Sequence, residues 1–143
     1  MAEPTTGRIL AMATVPGFNP NAYGRYSPVL WKQAAVQNVY EPGSTFKIVR
    51  LAAALEAGGF DPSDQISCPA EWDGLGEDAI KTNWKEEDRG LITLTQALAE
   101  SCNTVFYEVA VSLHNQDEEL LPAFAAGFGF HLSRFEKIDF VEY

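Results

Sequence analysis

Tyr40-Glu41-Pro42-Gly43-Ser44-Thr45-Phe46-Lys47, continued by Ile48-Val49-Arg50-Leu51-Ala52-Ala53-Ala54-Leu55-Glu56-Ala57, is the stretch that decides how this chain reads. Pro42-Gly43 closes a loop. The run after it is rich in Ala and Leu, which favour helix, and Gly58-Gly59 stops it. The sequence therefore predicts a helix over 44–57. Only Lys47, Arg50 and Glu56 interrupt its apolar surface. A helix apolar on nearly every face belongs in a core. Lys47 is then out of place unless it is used, because buried lysines are rare. Desolvation disfavours its ammonium and lowers its pKa, which suits a general base. Ser44 stands one helical turn before Lys47 on the same face. It also lies at the helix start, where free N–H groups and the dipole favour developing negative charge. A serine hydroxyl is a poor nucleophile until a base takes its proton. Ser44 and Lys47 supply both parts.

The tetrapeptide alone decides little. Roughly every second chain of this length holds some S-x-x-K by chance. Its bland reading is an N-cap serine and a lysine that snorkels to solvent. The sequence around it carries the argument further. Residues 7–15 read as a strand, closed by Pro16-Gly17, and 16–28 as a loop rich in Pro, Gly and Asn. Residues 60–92 show no strong period and read as mostly loop. Thr93 with Gln96 forms a capping box for a helix over about 94–100. Ser101-Cys102-Asn103 breaks it. A third helix over about 104–114 places Val105, Phe106, Val109, Ala110 and Leu113 on one side. Asp117 can cap a short fourth helix that Gly127 and Gly129 end. Lys137 to Tyr143 could be a strand.

Composition narrows the classes. The 143 residues are 46% hydrophobic and 12% aromatic, which suits one small globular domain. Ten Lys+Arg against twenty Asp+Glu give a net charge of −10, against a nucleic-acid partner. Mean hydropathy is −0.12, and no stretch approaches the apolar length of a membrane span. The first residues lack the pattern of a signal peptide. Cys68 and Cys102 have no zinc-site spacing and read as small hydrophobes rather than a disulfide. His114 and His131 have no partner at ligand spacing. Trp31 and Trp84 read as core anchors, with a substrate groove as the alternative.

S-x-x-K with a downstream S-x-N belongs to a known signature set. With its "YEPGSTFK" and "SCNTVF" strings, the chain resembles the penicillin-binding protein transpeptidase family, in particular its monofunctional, class B-type members. Supporting matches are Thr6-Gly7-Arg8-Ile9-Leu10-Ala11-Met12, Asn19-Pro20-Asn21, Gly90-Leu91-Ile92-Thr93-Leu94 and Phe128-Gly129-Phe130. The resemblance covers about residues 5–130 and leaves 131–143 unassigned. It implies that Ser44 is the acylated nucleophile and Lys47 the lysine that activates it. It implies that Ser101 relays protons to the leaving group and that Asn103 contacts substrate and the lysine. The family takes the terminal D-Ala from a D-Ala-D-Ala stem peptide and passes the acyl group to a neighbouring amine, and β-lactams mimic the donor. The resemblance implies no metal or organic cofactor, and action outside the cytoplasmic membrane with a membrane-tethered parent protein.

One element of the pattern is missing. The family's third motif, Lys-Thr/Ser-Gly on a strand that completes the oxyanion hole, does not follow Asn103. Lys81-Thr82-Asn83 precedes the second motif and lacks the glycine. The expectation is an α+β fold: the helical subdomain of a transpeptidase-like domain with about one N-terminal strand, a truncated domain over residues 1–143. Its central helix would expose the side that faces the family's sheet, inviting self-association. Independent turnover by these residues is not expected. The alternatives are a non-catalytic fragment that acts as a binding piece, and a serine β-lactamase-type hydrolase.

Overall fold

A computed structural model describes residues 1–57 and 59–130 in two compact units, which divide after Glu41. In the first unit, the strand expected over 7–15 is reduced to an antiparallel bridge between Ala2 and Ile9. The first few residues lie alongside it, with Glu3 N–H donating to Arg8 O and Leu10 N–H to Met1 O. The loop that follows is not featureless. Pro20–Arg25 and Pro28–Trp31 are 3-10 turns, each begun by a proline whose φ suits the first helical position. Ala34–Gln37 is a single α-turn, α1. Trp31 does not anchor a core. It is 43% exposed and meets Tyr23 edge to face at 5.5 Å.

The second unit starts with a 3-10 turn, Gly43–Phe46, that runs into helix α2, Lys47–Ala57. Gly43 has φ +53, a conformation that a side chain strains, so the loop can turn sharply into the helix. Lys47, Val49, Arg50, Ala53 and Ala54 are buried, while Ile48 and Leu55 are exposed. The helix is therefore buried on one side only, the side packed on α4 and α5, given below. The apolar-all-round pattern did not distinguish the two sides.

The stretch 60–92 contains short strands that its sequence did not announce. Strand β1 is Gln65–Ser67, β2 Glu71–Trp72, β3 Lys81–Thr82 and β4 Leu91–Thr93. Two antiparallel pairs result: β1 with β4 (Ile66 opposite Ile92) and β2 with β3 (Glu71 opposite Thr82). Strands of two or three residues carry too little period to read. Helix α3, Leu94–Ala99, opens with the expected capping box, with Thr93 Oγ1 accepting from Gln96 N–H and Gln96 accepting from Thr93 N–H. Helix α4 is Asn103–Gln116, and α5 is Leu120–Gly127. The apolar positions read on α4 are all buried, and Phe106 and Val109 meet Ala53, Leu94 and Ala125 in one core. The strand suggested for Lys137 to Tyr143 lies outside the described residues. Among those described, the chain is helix-rich with short antiparallel strands, the α+β fold expected.

Candidate active site

All four residues singled out in the sequence meet in the second unit. Ser44 sits in the 3-10 turn and is exposed; Lys47 opens α2 and is only 5% exposed. Ser101 and Asn103 come from the break between α3 and α4. Lys47 Nζ donates to Ser101 O at 2.8 Å, Ser101 Oγ at 2.9 Å and Asn103 Oδ1 at 2.6 Å. These three oxygens match the three N–H bonds of an ammonium. Ser101 Oγ in turn donates to Ser44 Oγ at 3.1 Å. The hydroxyl of Ser101 thus lies between the exposed serine and the buried lysine, a path for one proton between them.

Burial first, and the nearby Arg50 guanidinium after it, together lower the pKa of Lys47 from 10.5 to about 8. Arg50 is itself buried and lies 5.7 Å from the centre of the Phe46 ring. Lys47 Nζ is 5.6 Å from the centre of the Phe106 ring, whose face favours the cation. The amine therefore sits where its neutral form is accessible slightly above neutral pH, one hydroxyl away from Ser44.

The turn that carries Ser101 and Asn103 is strained. Ser101 has φ +55, which a serine adopts only where its surroundings impose it. Those surroundings include a disulfide. Cys68 and Cys102 are bonded, which corrects their reading as separate thiols. The fold brings the residue after β1 against the middle of the turn, with Cα atoms 6.4 Å apart, an approach that a spacing of 34 residues does not reveal. Three further contacts come from the same region. Thr104 Oγ1 donates to Pro69 O at 2.9 Å, Asn103 N–H to Asn83 Oδ1 at 3.0 Å, and Trp84 Nε1 to Glu100 O at 3.0 Å. Trp84 is 61% exposed, so it tethers the end of α3 rather than anchoring a core. Lys81-Thr82-Asn83, which lacks the third motif's glycine, thus helps to hold the turn of Ser101 and Asn103 through Asn83. His114 is exposed, and no group of residues among those described could hold a metal ion.

A serine and a buried lysine on one helix start, joined through a second serine on a facing turn, make an arrangement that can activate a serine hydroxyl as a nucleophile. The model of the penicillin binding protein transpeptidase domain matches residues 1–133, and the chain belongs to that family. It is 33% identical to the peptidoglycan D,D-transpeptidase PbpA of Mycolicibacterium smegmatis, over 89% of this chain but 29% of that protein. Among solved structures, penicillin-binding protein A from M. tuberculosis, as a penicillin G acyl-enzyme complex, superposes with a TM-score of 0.74 at 28% identity. That match covers 90% of this chain and 33% of the other. The D,D-transpeptidase domain of a peptidoglycan glycosyltransferase from Eggerthella lenta gives a TM-score of 0.73 at 35% identity, over 99% of this chain and 34% of that one. The chain thus spans about a third or less of the relatives it matches.

Proposed function

We propose that this chain supplies the acylating part of a peptidoglycan D,D-transpeptidase, with Ser44 as nucleophile and Lys47 as its base. The observation that carries the reading is the hydrogen-bonded line from Lys47 Nζ through Ser101 Oγ to Ser44 Oγ. When Lys47 is neutral, the Ser44 proton passes through Ser101 to the amine as Ser44 Oγ bonds to the carbonyl carbon of the penultimate D-Ala. The C–N bond to the terminal D-Ala then breaks, and Ser101 returns the proton to the leaving amine. Asn103, accepting from Lys47 through Oδ1, keeps its amide N–H groups for the substrate backbone. A neighbouring stem-peptide amine resolves the acyl-ester, and β-lactams stop at the equivalent ester.

The disulfide supports a location at the extracytoplasmic face of the cytoplasmic membrane, because structural disulfides persist in oxidising compartments. No helix among the described residues is long and apolar enough to cross a membrane. No Lys-Thr/Ser-Gly string follows Asn103 in the sequence, so we propose that acylation by these residues alone is slow for want of that oxyanion donor. Losing one such donor slows acyl transfer about 100- to 1,000-fold without abolishing it.

Prolonged incubation of the protein with a fluorescent penicillin, followed by peptide mass spectrometry, tests the reading. The expected result is a slow covalent adduct on Ser44 that Ser44→Ala eliminates. A folded protein with no adduct, or an adduct that persists in Ser44→Ala, would overturn it. Rapid loss of the adduct to water would favour a β-lactamase-type hydrolase instead.

A further inference from the structure

The four residues of the proposed mechanism do not explain what holds the second motif in its strained turn. Helix α4 begins at Asn103, and the residue before it, which would normally cap the helix with a side-chain oxygen, is the half-cystine Cys102. Cys102 makes no such cap. The Asn103 N–H, one of the donors that a helix start leaves over, is met by Asn83, twenty positions away. Asn83 Oδ1 accepts from Asn103 N–H and from Trp84 N–H, both at 3.0 Å. Two backbone donors on one atom identify it as the side-chain carbonyl oxygen. The other end of the amide, Nδ2, faces Cys68 Sγ of the disulfide at 3.5 Å. The backbone of Asn83 is fixed as well, its N–H donating to Ala70 O at 2.8 Å. The side chain therefore spans the disulfide and the first peptide unit of α4.

We propose that Asn83 is a positioning residue for the acyl-transfer site: its carbonyl oxygen holds the Asn103 N–H at the start of α4 and so aims Ser101 Oγ and Asn103 Oδ1 at Lys47. This rests on the reading of the site given above. Asn83 meets no reacting atom. It acts on the peptide between Cys102 and Asn103, and through it on the Ser101 and Asn103 oxygens that accept from Lys47. The disulfide restrains the middle of the turn, and Asn83 restrains its exit.

Asn83→Leu keeps the approximate size and removes the acceptor; Asn83→Asp keeps the acceptor. Two readouts apply to the full chain: hydrogen exchange at the Asn103 amide, and the rate of Ser44 acylation by a fluorescent penicillin. In Asn83→Leu, exchange at Asn103 is expected to rise about tenfold or more, as for a lost hydrogen bond. Acylation is expected to fall by about 10- to 100-fold, as for a reacting group moved by an ångström. Asn83→Asp should keep both near wild type. Unchanged exchange and acylation in Asn83→Leu would overturn the proposal, as would an Asn83→Asp variant that is folded yet as impaired as Asn83→Leu. A fall in melting temperature with acylation intact would overturn it too, because it would mark a merely structural side chain. If circular dichroism shows that Asn83→Leu does not fold, Asn83→Asp decides through its Asn103 protection. A wild-type chain that takes no penicillin would count against the proposed function, while the exchange data would still decide whether Asn83 holds the turn.

Discussion

Lys47 shows how a sequence oddity becomes chemistry. It is a lysine in an apolar helix, and the fold buries it without removing its partners: three oxygens of the second motif surround its nitrogen. Its folded pKa of about 8 lies below the 10.5 expected in an unfolded chain. Between these values the unfolded state binds more protons, so this group makes stability rise with pH across that window. Below about pH 8 the full cost of keeping the ammonium buried is present. Relative to Lys47→Met, which has no titrating group there, the wild type should gain roughly 3 kcal/mol between pH 7 and pH 10.5. Urea unfolding of both proteins across that range measures it, and parallel curves would refute it. Lys47→Met should also abolish Ser44 acylation at every pH. This residue was legible because Ser44, Lys47, Ser101 and Asn103 lie in short ordered strings. Asn83 was not legible. It is a lone asparagine in an irregular stretch, and its partner lies across a turn whose conformation no local rule fixes.

At the scale of elements, the helices were readable and the segment 60–92 was not. Helices α3 and α4 announce themselves by a capping box and by a buried stripe, and both form where their sequences place them. Strands β1 to β4 hold two or three residues each, too few for alternation to show. They exist because neighbouring chain pairs with them, and the disulfide adds a covalent tie from the end of β1 to the start of α4. A tie across 34 residues restricts the unfolded chain by an amount worth about 4 kcal/mol in the chain-entropy model. Replacing Cys68 and Cys102 together by Ala should lower the unfolding free energy by about that much, read by denaturant titration. A loss well under 1 kcal/mol would show that the segment holds itself in place without the bond.

At the scale of the whole molecule, composition described an ordinary small acidic domain, and the structure shows a core closed on one side of its central helix. Ile48 is 57% exposed and Leu55 39% exposed, on the side of α2 away from α4 and α5. The pattern of apolar residues announced the burial of this helix. It did not announce which side, because Ile48 and Leu55 are as apolar as Val49 and Ala53. Exposed apolar side chains on one helix face favour contact between copies, and the net charge of −10 opposes it. Association that strengthens with added salt is the expected outcome, since salt screens the repulsion. Light scattering should show the mean mass rising with protein and salt concentration in the wild type and staying monomeric in Ile48→Ser/Leu55→Ser. Equal masses in the two proteins would place any association elsewhere.

The hairpin of β2 and β3 has a further consequence. Its base is pinned where Asn83 N–H meets Ala70 O, and its first strand is held from outside, with Trp72 stacked on Tyr107 and bonded to Glu108. The tip between Trp72 and Lys81 carries none of the contacts that reach the second motif. Changes of length or side chain in the exposed tip, away from Gly74 and Gly76, therefore leave Ser101 and Asn103 undisturbed. That hairpin tip is a place where the domain can be rewritten at little cost to the turn that carries Ser101 and Asn103.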